Sequence, residues 1–143
     1  MTDHSCAQGP VGRRTPPRPR RPSETRKLSW KGQSVFVTIG YRDDHLTPCE
    51  IFYDSGYRSG SDMEVLVSDL CIALSVMLQH PGVTAEGLGK SMSERVELRT
   101  GAVGPASILG LLLYEIARPP AWSADLKAAR RGGSSKKHAG GQQ

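Results

Sequence analysis

The sequence predicts an α+β domain, a three-stranded antiparallel meander with two or three helices packed on one face and disordered basic tails. Three observations predict it. Val35, Val37 and Ile39 alternate with Phe36, Thr38 and Gly40 at the period of two that a strand imposes. Ser61 stands three residues before Glu64 and opens a run in which Met63, Leu66, Val67, Leu70, Leu74 and Met77 recur at helical spacing. Both ends of the chain are rich in Pro, Gly, Arg, Ser and Lys with almost nothing apolar, so burial there cannot offset chain entropy.

These ends set the organisation: a disordered basic arm over 1–25, a folded unit over 26–122, and a disordered Gly/Ser/Lys tail over 123–143. A folded unit of that size has a modest core and often draws stability from self-association. The net charge of +5 belongs to the ends. Residues 1–31 carry eight Lys/Arg and two acids, and residues 127–143 carry five Lys/Arg and no acid. The stretch 32–126 therefore holds six basic and twelve acidic residues. That balance argues against a basic folded face that reads nucleic acid. It leaves weak, salt-sensitive contact of the arms with nucleic acid as an alternative to simple solvated tails.

In chain order, "RKLSWKGQSVFVTIGYRD" gives two strands joined at Lys31-Gly32. "DDHLTP" makes a polar turn, and a third strand, Cys49 to Asp54, follows at hairpin distance. The next helix begins with a capping box, in which the Ser61 hydroxyl accepts from the Glu64 amide and the Glu64 carboxylate reaches back to the Ser61 amide. Asp62 adds a negative charge that the helix dipole favours. Val65, Ile72, Val76 and Leu78 make this helix apolar on more than one face. In so small a domain this implies packing on the sheet plus a subunit or partner contact. "HPG" at 80–82 stops it. A short helix follows Thr84, weakened by Gly87 and Gly89. "SERVELRTGAVG" alternates without a clear assignment. Finally, Pro105 is placed in the first turn of a helix through "ASILGLLLYEIA", ended by Pro119-Pro120.

The chemistry-bearing residues are sparse. Cys6, Cys49 and Cys71 are odd in number and far apart, which supports neither a disulfide framework nor a zinc site. His4 and His138 fall in the tails, His45 in a polar turn and His80 at a helix end, none beside a nucleophile in a recognisable motif. Asp43-Asp44 reads as a turn. There is no signal-peptide pattern, and the apolar stretches are interrupted by Asp69 or are too short to span a bilayer. A reducing cytoplasm fits best, with no membrane contact.

The segment "EIFYDSGYRSGSDME", residues 50–64, has the outline of a phosphate-binding turn: strand, glycine loop, helix. It lacks the P-loop pattern GxxxxGK[ST]; Gly56 and Gly60 are separated by three residues and Ser61 stands where the lysine belongs. Free amides at Ser61, Asp62 and Met63, with Arg58 beside them, would still suit an anion, although Asp54, Asp62 and Glu64 crowd the same end. The candidate phosphate-binding residues are therefore Gly56, Arg58, Gly60 and Ser61. No catalytic or metal-binding residue is assigned.

"RRPSET", a strand ending "VTIGYRDD", then "PCEIFYDSGYRSGSD", and the apolar helix with "ALSVMLQHPGV" together resemble the TSCPD domain over about Arg21 to Ala117. "GAVGPASILGLLL" resembles the end of its stand-alone form. That domain is the C-terminal part of many adenosylcobalamin-dependent ribonucleotide reductases and also occurs as short bacterial proteins. Two departures stand out: the Thr-Ser-Cys-Pro-Asp string is absent, and so is a C-terminal cysteine cluster. Thr47-Pro48-Cys49-Glu50 is a chance likeness. The resemblance implies a role beside ribonucleoside-diphosphate reductase in deoxyribonucleotide synthesis for DNA replication. A folded unit of about 97 residues cannot enclose a radical-bearing barrel and cobalamin. The expectation is a non-catalytic accessory or assembly module that associates with itself or with a ribonucleotide reductase. A nucleotide phosphate at Gly60-Ser61 is part of it; adenosylcobalamin belongs to the full-length enzymes, and no cofactor is expected in this chain. The literal reading, an active reductase or its subunit, is the weakest.

Overall fold

The fold is a computed structural model that describes residues 12–133. The expectations for Cys6, His4 and His138, and for the outer parts of both tails, lie outside the described residues.

β1 (Ser23–Trp30), β2 (Gln33–Tyr41) and β3 (Pro48–Ser55) form an antiparallel meander in the order β1-β2-β3. Lys31 and Gly32 both have positive φ, the geometry that closes a two-residue hairpin with the native strand twist. The alternation that predicts β2 sorts its side chains: Val35, Val37 and Ile39 are buried. On the opposite face the Thr25 and Thr38 hydroxyls pair at 2.9 Å and Thr38 donates to Asp54 at 2.6 Å. The register shifts between Phe36 and Val37 and between Gly40 and Tyr41, where Asp54 and Cys49 are the extra residues of β3, which bends β3.

α1 (Asp62–Leu78) lays Val67, Cys71, Leu74 and Leu78 against this apolar sheet face. It also closes the free edge of β3. The Ser75 hydroxyl accepts from Ile51 N at 2.9 Å and lies 3.0 Å from Ile51 O, while Gln79 Nε2 donates to Cys49 O at 3.2 Å. An edge whose backbone groups are bonded in this way cannot recruit another strand there.

α2 (Ala85–Gly89) is capped by Thr84. The unassigned stretch after it is a hairpin of β4 (Glu94–Val96) and β5 (Val103–Pro105). Pro105 ends β5 and does not occupy the first turn of the next helix. Ser107 supplies the N-cap instead, accepting from Gly110 N at 3.1 Å, so α3 runs from Ile108 to Ala117. Arg118 is already extended, as the residue before Pro119 prefers to be. α3 has no basic residue in its last turn. Arg26 of β1, only 6 % exposed, serves there: its guanidinium donates to the Glu115 carbonyl, and to the carbonyls of Arg118 at 3.1 Å and Pro119 at 3.3 Å. Orphan carbonyls at a helix end are thereby satisfied by a charge of the favourable sign.

Two segments expected to be disordered have structure. Residues 123–132 of the expected tail form α4 (Ser123–Gly132), with Asp125 in the first turn and Arg130 and Arg131 in the last, matched to the helix dipole. Residues 12–22 lie along the domain: Thr15 N donates to Gln79 O at 2.9 Å, and Arg42 donates to the carbonyls of Thr15 at 2.7 Å and Pro16 at 3.3 Å. The folded body thus starts before residue 26, with β1 at Ser23.

Candidate functional site

The 56–64 loop is built from the backbone outward. Gly56 has φ +140° and sits so close to β2 that a Cβ would come within 2.8 Å of Val35 Cα, so no larger residue fits. Its carbonyl accepts from Gln33 Nε2 at 2.5 Å. Gly60 has φ +78° and turns the chain into the helix. Ser61 Oγ accepts from Glu64 N at 3.2 Å, as a capping box requires.

The reciprocal bond differs from the expected one. The Glu64 carboxylate accepts from Gly60 N at 3.0 Å, because Ser61 N already donates to Arg58 O at 3.0 Å. The structure therefore brings Gly60, Ser61 and Glu64 together, leaves the Arg58 side chain exposed, and sets Gly56 behind them against β2. Of the three amides expected to be free, Ser61 N is bonded within the loop. Those of Asp62 and Met63 remain, with the Glu64 carboxylate already at the positive end of the helix. Tyr57 reaches inward from the same loop; its amide donates to Tyr53 OH at 2.8 Å, and its own hydroxyl is buried without a partner.

The cysteines are placed for packing. Cys49 and Cys71 are both buried and free. Burial, aided by the charge of Asp54, pushes the Cys71 thiol up to about 12, and burial raises Cys49 as well. A thiol held protonated is neither a nucleophile nor a metal ligand. Among the described residues no group of three or more His, Cys, Asp or Glu side chains is arranged to hold a metal ion.

The surface that stands out is the outward face of α1. Val65 is 53 % exposed, Leu66 49 %, Ile72 59 % and Met77 39 %. At helical spacing these residues and Ala73 make one apolar stripe, interrupted by Asp69. Ala73 and Met77 also form one wall of an apolar recess of about 130 Å³ whose other walls include Leu70, Leu88, Met92 and Leu109. A second recess, about 400 Å³, opens between α2, the β4–β5 hairpin and α3. The apolar stripe is legible in the sequence as a helix apolar on several faces. The recess is not, because it depends on how α2 and α3 meet α1.

No family model, no curated protein and no solved structure matches this chain. Among the described residues no helix is long and apolar enough to cross a membrane.

Proposed function

We propose that this chain is a stand-alone, non-catalytic association module of the TSCPD type, serving a ribonucleotide reductase in deoxyribonucleotide supply. The observation that carries the association half is the exposed stripe of Val65, Leu66, Ile72 and Met77 on a helix whose other face is core. An apolar patch continuous with an apolar recess is costly to leave in water and suits a protein interface. The reductase half rests on the sequence resemblance alone. The buried, protonated Cys49 and Cys71 support a binding role over thiol chemistry.

The favoured occupant of the α1 stripe is a second copy of the chain with the two helices antiparallel. Asp62 and Glu64 make the N-terminal end of α1 acidic, while Arg14 donates to Gln79 at its C-terminal end at 2.7 Å. Antiparallel pairing sets each acidic end beside the partner's basic end and closes by two-fold symmetry. A nucleotide phosphate at Gly60-Ser61 is a subordinate part of the proposal, and it would have to displace the Glu64 carboxylate from Gly60 N. The protein works in a reducing cytoplasm, where its cysteines stay thiols.

Sedimentation and affinity capture test this. The purified chain should dimerise at micromolar concentration, and the immobilised chain should retain an adenosylcobalamin-dependent ribonucleotide reductase from the native host. A strict monomer that retains no reductase would end the reading. Dimerisation without reductase capture would remove the pathway half and leave the association half standing.

A further inference from the structure

The two basic ends of the chain, far apart in sequence, meet on one loop. From the N-terminal side, Arg18 pairs with Asp43 at 3.1 Å, and both side chains are largely exposed. From the C-terminal side, the Trp122 indole donates to His45 O at 2.6 Å and packs edge-on against Tyr41 with ring centroids 5.3 Å apart. That anchor holds α4 beside the same loop. Lys127 lines a recess with Leu46 and Pro48. Arg130 is close enough for its charge to act on Asp44: burial pushes that carboxyl up, but hydrogen bonds from Thr47 and Leu46, helped by Arg130, hold it below its ordinary value.

Between the two ends lies Arg42, whose guanidinium bonds only to the neutral carbonyls of Thr15 and Pro16 among the described residues and so keeps an uncompensated charge. Arg20, Lys127, Arg130 and Arg131 are exposed and, among the described residues, have no carboxylate within ion-pair distance. This end also holds Asp43 and Asp44 of the loop, Glu86 on the recess that Lys127 lines, and Asp125 of α4, but Arg18, Arg20, Arg42, Lys127, Arg130 and Arg131 outnumber them. Asp54, Asp62 and Glu64 lie at the N-terminal end of α1, away from Gln79 and the arm. The molecule is thus polar along the strand axis, with the excess positive charge gathered around Arg42–Thr47.

We propose that this basic end, formed by the docked arm, the β2–β3 loop and α4, is a binding surface for the phosphodiester backbone of double-stranded nucleic acid, without base-sequence preference. This goes beyond the association role of α1 and uses none of its residues. Clustered Arg and Lys on a held framework, all but Arg18 unpaired among the described residues, release counterions when they meet phosphates, and that supplies sequence-independent affinity. The chemistry favours a duplex over a single strand, because Trp122 and Tyr41 pack on each other at this end and Tyr41 is buried, so neither ring is free for base stacking. It favours nucleic acid over a lipid surface, because the large exposed apolar side chains among the described residues all lie outside 12–22 and 118–133.

The test is fluorescence anisotropy of the full chain with a labelled 20-base-pair DNA duplex of random sequence across 50–200 mM salt. Two variant pairs are compared, Arg18→Glu with Arg20→Glu on the arm, and Lys127→Glu with Arg130→Glu on α4, each checked for unchanged melting. Binding at 50 mM salt should weaken at least tenfold in each pair. The slope of log affinity against log salt should become shallower by about 0.9 for each phosphate that the variant no longer neutralises. Absence of binding at 50 mM salt overturns the proposal. So does an α4 pair that binds like the unaltered chain, which would leave the affinity to the residues beyond 133. Stronger retention on vesicles of anionic phospholipid than on the duplex, with both pairs affecting only the vesicles, would assign the surface to lipid instead.

Discussion

Glu50 shows how one residue type can dictate another nearby. It is 4 % exposed, lies across Gly40 where a Cβ would be 2.6 Å from its Cγ, and takes a two-pronged contact from Arg21. The arm is thereby tied to the sheet by a charge-assisted pair, and Gly40 is required because Glu50 occupies its side-chain space. Tyr57 presents the opposite case, a buried hydroxyl without a partner. Tyr57→Phe removes a desolvated group and no bond, so thermal unfolding should show stability unchanged or raised by up to about 1 kcal/mol. The thiols give a pH prediction. Cys71 has its pKa raised from 9.0 to about 12 on folding. Above pH 9 the unfolded chain loses this proton while the folded chain keeps it, so stability is full below pH 9 and falls as pH rises towards 12. In a Cys6→Ser background, native protein at about pH 8, where an ordinary thiol is partly ionised, should resist iodoacetamide until denaturant is added. Rapid alkylation of the folded chain would show that Cys49 or Cys71 is accessible.

Among the elements, legibility follows how local the determining physics is. β2 and α1 are readable because their side-chain periods and the Ser61 cap lie within the segments themselves. α3 is readable as a helix, but the sequence misplaces its start: Pro105 is a valid first-turn residue, and only the competing cap at Ser107 decides the matter. The β4–β5 hairpin is obscure because three-residue strands with mostly exposed side chains carry almost no pattern. α4 reads as tail because its composition is polar; Trp122 docking on Tyr41 and His45 is the tertiary contact that holds it. The closure of β3's edge is equally invisible, since it rests on Ser75 and Gln79 at the far end of α1. Ser75→Ala should leave Ile51 N without its partner and cost about 1–3 kcal/mol in chemical denaturation. An unchanged midpoint would mean that water serves the edge equally well.

At the scale of the whole molecule, one helix divides the chain's tasks. The inner face of α1 completes the core with Val67, Cys71, Leu74 and Leu78, and the outer face carries Val65, Leu66, Ile72 and Met77 into solvent. The candidate phosphate loop at its N-terminus is chiefly a helix start, in which the Gly60, Ser61 and Glu64 amides are bonded within the loop and only those of Asp62 and Met63 are left to a ligand. The basic ends also change meaning: charge that reads as solvated tails in the sequence is in part held against the β2–β3 loop. The most direct test of the association reading is sedimentation equilibrium of the full chain and of Ile72→Glu at the same micromolar concentrations. The account predicts twice the chain mass for the unaltered protein and the single-chain mass for a variant that melts at the same temperature. A monomer in both cases, or a dimer that Ile72→Glu leaves intact, would contradict it.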